Sequence, residues 1–243
     1  MTKHSELMLP YLHKVFSLLQ IEVLPEQVDK IAKFDDFLFD YNNRINLTRI
    51  VDPQEVAVKH FGDSLTLLSQ KELFAGARVI DVGAGAGFPG IPLAIMRPDL
   101  QLTLIDSLRK RTHFLTELIE HLAITNVDVV WGRAEDIGQN PKYREKFDGV
   151  IARAVAPLNI LAELCLPLIK VGGHFWALKG PKADSEVSAA DKAITLLGGK
   201  VASHNSVFLP LTEDSRSLVC ILKQSLTPLT YPRKAGVPER QPL

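Results

Sequence analysis

The ten residues Asp81-Val82-Gly83-Ala84-Gly85-Ala86-Gly87-Phe88-Pro89-Gly90 constrain this chain more than any other stretch of it. They follow a β-rich run, Arg78–Val82, and precede an apolar pattern, Ile91–Met96, that predicts a helix. Glycines at such a junction let the backbone turn sharply and approach a ligand closely, because no Cβ intervenes. Pro89 suits the first turn of the helix that follows. Four glycines and two alanines in ten residues exceed what a ligand-free turn requires, and the strand–turn–helix context points to a nucleotide-type cofactor.

The surroundings of the loop extend the pattern. Further strands are expected at Leu102–Asp106, Val127–Trp131, Gly149–Arg153 and Phe175–Leu178. Helical spacing separates them at Arg109–His121, Leu158–Ile169 and Ser185–Leu197. This alternation predicts a parallel sheet covered on both faces. Two last strands, Lys200–Leu209 and Ser217–Leu222, are joined by too short a link for a crossover helix, so the sheet should end in an antiparallel hairpin. The expected class is α/β, a Rossmann-like, mostly parallel seven-stranded sheet of the class I methyltransferase type. Residues 1–74 read as a helical N-terminal cap, with apolar faces at Leu12, Val15, Phe16 and Leu19 and at Ile31, Phe34, Leu38 and Tyr41. A third helix is expected over Pro53–Leu68, and Asn42–Arg49 reads as a polar connection. Residues 75–224 form the cofactor domain, and 225–243, with four prolines, an extended basic tail.

Which cofactor the loop takes is decided by charge. Gly85-Ala86-Gly87-Phe88-Pro89-Gly90 matches the dinucleotide fingerprint, and Asp106, 21 residues after Gly85, sits where a ribose-binding acid belongs. An NAD-dependent oxidoreductase is therefore one reading. Asp81 favours the other: a carboxylate two residues before the first glycine repels a pyrophosphate but suits the sulfonium and ammonium of S-adenosylmethionine. More charged residues recur at strand ends, where ligands of open α/β sheets bind: Asp106, Ala134-Glu135-Asp136, Arg153 and Lys179. Each alone is an ordinary loop residue, and their shared edge makes the case.

At this point the chain resembles a known family, the bacterial small-subunit rRNA guanine-N7 methyltransferases called RsmG and formerly GidB. The likeness runs over nearly the whole chain. It rests on Asn46-Leu47-Thr48-Arg49, His60-Phe61-Gly62-Asp63-Ser64-Leu65, the glycine loop through Pro92, Leu104–Ser107, Lys110-Arg111, Ala152-Arg153-Ala154 and Lys179-Gly180, with Tyr231–Gly236 resembling the longer members. The resemblance implies methylation of a guanine N7 in the decoding-region loop of 16S rRNA, with cofactor contacts at Gly83, Phe88, Ala134, Glu135 and Arg153. The cofactor set expected overall is Asp81, Gly83, Gly85, Phe88, Asp106, Ala134, Glu135 and Arg153. Guanine N7 carries a lone pair and no proton, so transfer needs alignment and no general base. Arg153, Lys179 or neutral Asn46 would donate to the neighbouring O6, and Asp63 would offset the charge developing on the base. His60 reads as packed or capping. A non-catalytic ribosome-assembly or RNA-binding factor on the same fold is the remaining reading.

Bulk charge gives this no help, since 28 basic residues balance 28 acidic ones. RNA contact must come from local patches: Arg109-Lys110-Arg111, and Arg233, Lys234 and Arg240 in the tail. Aromatic residues are few within these runs, so phosphate and shape recognition is expected over stacking. The two cysteines, Cys165 and Cys220, lie in apolar runs and read as buried thiols of a reducing compartment. No run is long and apolar enough for a membrane span, and no metal-ligand spacing occurs. A cytoplasmic monomer acting on 16S rRNA or a small-subunit particle is the expectation.

Overall fold

The computed structural model describes residues 3–70, 73 and 75–243; Phe74, the expected end of the cap, lies outside them. Seven strands form one sheet in the order β3-β2-β1-β4-β5-β7-β6. They are β1 Arg78–Val82, β2 Gln101–Asp106, β3 Val127–Trp131, β4 Phe147–Arg153, β5 Ile169–Lys179, β6 Gly199–Phe208 and β7 Ser215–Lys223. All neighbours are parallel except that β7 runs antiparallel to both β5 and β6. Chain order reverses at β1, whose two neighbours are β2 and β4, and this opens a crevice at the carboxyl ends of those strands.

Both faces of the sheet are buried, and its side chains alternate between two cores. Ile151, Trp176, Leu178 and Cys220 face the core shared with the N-terminal helices. Val150, Ala152, Phe175, Ala177, Val219 and Ile221 face the other. The first core holds Met8, Leu12 and Phe16 of α1 (Lys3–Leu18) and Ile31, Phe34 and Leu38 of α2 (Pro25–Ile45). It is closed by α5 (Gly90–Met96) and α6 (Arg109–His121). The cap helices thus share one interior with the sheet. The opposite face carries α8 (Leu158–Cys165) and α9 (Ala183–Leu196).

Three expectations need correction. Helix α2 runs on through Asn42–Ile45, where a connection was expected, and ends at Asn46 in the left-handed conformation (φ 50°). Arg44 pairs with Asp40 one turn back, so polar residues extend the helix on its wet side. The helix expected at Pro53–Leu68 is four consecutive pieces: α3 (Pro53–Glu55), a π-helical stretch Val56–Gly62, α4 (Asp63–Leu65) and a 3₁₀ turn Thr66–Ser69. The tail is not a free extended segment. Arg233 donates twice to the buried Glu163 carboxylate, Arg144 donates to the Thr227, Pro228 and Tyr231 carbonyls, and α10 (Val237–Arg240) follows. A short helix, α7 (Ala134–Gln139), begins after β3; six residues are too few to show a period in sequence.

Candidate active site

The glycine loop spans the gap between β1 and α5 at the switch point. Gly83, Gly85 and Gly87 all hold positive φ (77°, 58° and 93°), a region other residues enter at a cost. A side chain at Gly83 would strike Val155 Cγ2 at 2.7 Å, whereas one at Gly85 would meet only the Gly83 carbonyl, at 3.8 Å. Gly85 therefore presents bare backbone to open space. Asp106, at the end of β2, holds the loop in place: it accepts from the Gly85 N–H at 3.0 Å, the Leu108 N–H at 2.8 Å and Arg111 at 3.3 Å. A carboxylate has about four acceptor positions, so one is left for a ligand.

Asp81 is turned into the fold. It is fully buried, and its Oδ2 accepts from the Gly90 N–H at 2.9 Å, which fixes the start of α5. Burial raises its pKa to about 7, against the pull of the Gly90 bond and of Arg153, and Oδ1 is buried without a partner. Asp81 thus stands behind the loop and fixes the start of α5, with its buried side chain facing away from solvent. Phe88 is packed as well. Its ring is stacked between Phe34 (4.8 Å) and His60 (4.4 Å), with Phe61 at its edge, so only its backbone is left for a cofactor. Pro89 precedes α5 as its cap and not as its first residue.

Beside the loop lies a cleft of about 380 Å³ lined by Lys59, His60, Asp63, Arg153, Lys179, Glu186 and Arg216, among others. Arg153 NH1 donates to Asp63 Oδ2 at 3.0 Å and to the Lys59 carbonyl at 2.9 Å, and its guanidinium lies 5.4 Å from the Phe88 ring centroid. Lys179 Nζ donates to the Ala156 carbonyl and pairs with Glu186 at 2.6 Å, leaving one of its three donors. His60 Nε2 meets Thr48 Oγ1 at 2.9 Å, and burial beside Arg153 lowers its pKa to about 3. It is neutral at physiological pH and too weak a base to carry protons. Asn46 is exposed and does not line the cleft; its neighbour Thr48 reaches His60 instead.

Sequence reasoning missed Arg216, whose Nε lies 3.8 Å from Asp63 Oδ1. Because β7 is antiparallel, its first residues reach the edge where β5 ends; Lys179 and Ser217 are register partners. Only the topology brings that arginine to the site. Ala134 and Glu135 begin α7, both half-buried, and Glu135 Oε1 accepts from the Gly236 N–H of the tail.

A glycine cradle at the switch point, an acid ending β2 and a reversed β7 define the class I S-adenosylmethionine-dependent methyltransferase fold. Solved structures share it: a predicted O-methyltransferase from Agrobacterium tumefaciens (TM-score 0.53, 21% identity, 67% of this chain and 81% of that one). A 16S rRNA adenine-N1 methyltransferase variant from Catenulisporales acidiphilia also matches (TM-score 0.53, 14% identity, 65% and 89%). At these identities the likeness is one of fold.

Within that class the chain belongs to the rRNA small subunit methyltransferase G family, whose GidB description it matches over residues 27–218. A ribosomal RNA small subunit methyltransferase G from Lactobacillus delbrueckii subsp. bulgaricus is 51% identical, over 95% of this chain and 97% of its own length. That from Desulforamulus reducens is 48% identical over 93% and 94%. The chain is an rRNA methyltransferase, and its cofactor is S-adenosylmethionine; the dinucleotide and non-catalytic readings fall. The open backbone at Gly85 and the remaining acceptor of Asp106 fit that cofactor. Among the described residues no group of His, Cys, Asp and Glu forms a metal site, and no helix is long and apolar enough to cross a membrane.

Proposed function

We propose that this enzyme methylates N7 of a guanine in the decoding-region loop of 16S rRNA, on naked rRNA or a small-subunit particle, as a cytoplasmic monomer. The observation that carries the choice of N7 is the make-up of the cleft. Each of its carboxylates is paired with a cation, Asp63 with Arg153 and Arg216 and Glu186 with Lys179, and His60 is buried as a neutral imidazole, so no group in it stands ready to take a proton. A ring nitrogen with a free lone pair needs alignment alone, whereas an exocyclic amine must lose a proton. The free thiols of Cys165 and Cys220 suit a reducing compartment.

Bound S-adenosylmethionine supplies the electrophilic methyl. Gly83 and Gly85 would hold it through bare backbone, Asp106 through its remaining acceptor, Ala134 and Glu135 at the adenine end, and Phe88 through its main chain. Lys179 and Arg153 donate toward guanine O6 and fix the edge that carries N7. Asp63, held between Arg153 and Arg216, balances the positive charge that appears on the base. Mass mapping of 16S rRNA modifications with and without the enzyme tests the assignment. One missing methyl, on guanine N7, is expected; a change on any other atom overturns it.

A further inference from the structure

Trp131 ends β3 with 53% of its surface exposed, while the chain's other tryptophan, Trp176, is 1% exposed. An indole left this wet is costly unless something covers it. The ring is nevertheless fixed. Its N–H donates to the Ser107 carbonyl at 3.1 Å, and the Arg109 guanidinium lies 4.1 Å from its centroid. Trp131 and Asp106 are register partners, so the ring stands at the carboxyl edge where the cofactor loop lies. Together with Thr112, His113, Thr116 and Val129, the pair lines a shallow groove between α6 and β3.

Among the described residues, the groove's end at the start of α6 carries unpaired basic charge. Arg109 and Lys110 are exposed at the start of α6, Arg111 is tied to Asp106, and His113 is paired with Glu117. A flat π-face backed by a guanidinium, with an exposed lysine next along the helix, suits a flat ring attached to a negative charge. That is the chemistry of an unpaired nucleobase with its phosphate. Arginine and tryptophan are distant in sequence, so the basic run looked devoid of aromatic residues until the fold brought them together.

We propose that Trp131 and Arg109 form a stacking platform for an unpaired nucleotide of the rRNA substrate, outside the cleft that holds the target guanine. The proposal rests on the rRNA methyltransferase reading of the adjoining site. It adds base stacking to the phosphate contacts expected of the Arg109–Arg111 run.

The test measures the affinity of native and variant chains by filter retention of labelled, deproteinised 16S rRNA and of small ribosomal subunits lacking the modification, and follows tryptophan emission in the native chain. Because Trp176 is buried, quenching reports on Trp131. Substitution Trp131→Ala should weaken RNA binding about tenfold and Trp131→Phe much less, as the stacking of a single base predicts. Neither should alter affinity for S-adenosylhomocysteine or the salt dependence of RNA binding, whereas Lys110→Ala should flatten the salt dependence. Unchanged RNA affinity in Trp131→Ala overturns the platform and leaves the enzyme reading intact. Loss of S-adenosylhomocysteine affinity in that variant also overturns it, in favour of a wall of the cofactor site. A native chain that binds neither RNA form removes the platform together with the substrate reading.

Discussion

His60 and Asp81 are buried on either side of Arg153's field, and their titrations oppose each other. Folding lowers His60 from 6.5 to about 3, so between those values the unfolded chain binds the extra proton and stability falls as pH falls. Folding raises Asp81 from 3.8 to about 7, so between those values the folded chain binds the extra proton and stability falls as pH rises. Over the shared range the two contributions largely cancel. Asp81→Asn should therefore steepen the loss of stability on acidification, and His60→Gln should steepen the loss from about pH 4 to 7, each by roughly 1.4 kcal/mol per pH unit. Urea midpoints measured across pH check both; parallel profiles for native and variant chains would contradict the burial argument. For catalysis, Arg153→Ala should lower kcat by about a hundredfold or more, since it removes a donor from the cleft and unpairs Asp63. Single-turnover methylation measures it, and unchanged turnover would take Arg153 out of the mechanism. At this scale the sequence named the right edge of the sheet more reliably than the right atoms. Asp81 and Phe88 carry the expected motif, yet both side chains are committed to packing, and no spacing reveals which way a residue in a turn points.

The tail shows how an element's composition can mislead. Its prolines and basic residues read as an arm for RNA, but Arg233 is bound to Glu163, a carboxylate only 1% exposed. Removing one partner leaves a buried charge unsatisfied, so Arg233→Ala should cost about 3 kcal/mol of stability, and Arg233→Ala with Glu163→Gln appreciably less. Chemical denaturation of the single and double variants decides this; a neutral Arg233→Ala would return the arginine to the RNA-binding patch. Lys223, wholly buried, donates to the Leu166 and Leu197 carbonyls and to Thr227, and clips the start of the same tail. The π-helical stretch was hidden for another reason. Its apolar positions at Val56, Ala57, Val58 and Phe61, continued by Leu65 of α4, satisfy a helical period, and a register change of one residue per turn is invisible in such a pattern.

Across the whole molecule, the strand and helix order was legible because period-2 and period-3.6 patterns alternate cleanly between glycine-rich turns. The reversal of β7 followed from its short link to β6. The joining of cap and sheet into one interior was not legible, because Phe34 meets Phe61 and Phe88, and Phe37 meets Phe114, only in three dimensions. The column Phe34–Phe88–His60 is the clearest case, running from α2 through the glycine loop to the wall of the cleft. The glycine loop and the cleft consequently share one aromatic partition. Occupancy on one side must be felt on the other: S-adenosylhomocysteine should change rRNA affinity, and rRNA should change S-adenosylhomocysteine affinity by the same factor. Calorimetric titrations in both orders measure it, and two independent affinities would show the partition to be rigid. Donor exchange and rRNA release would then be timed by the same phenyl ring.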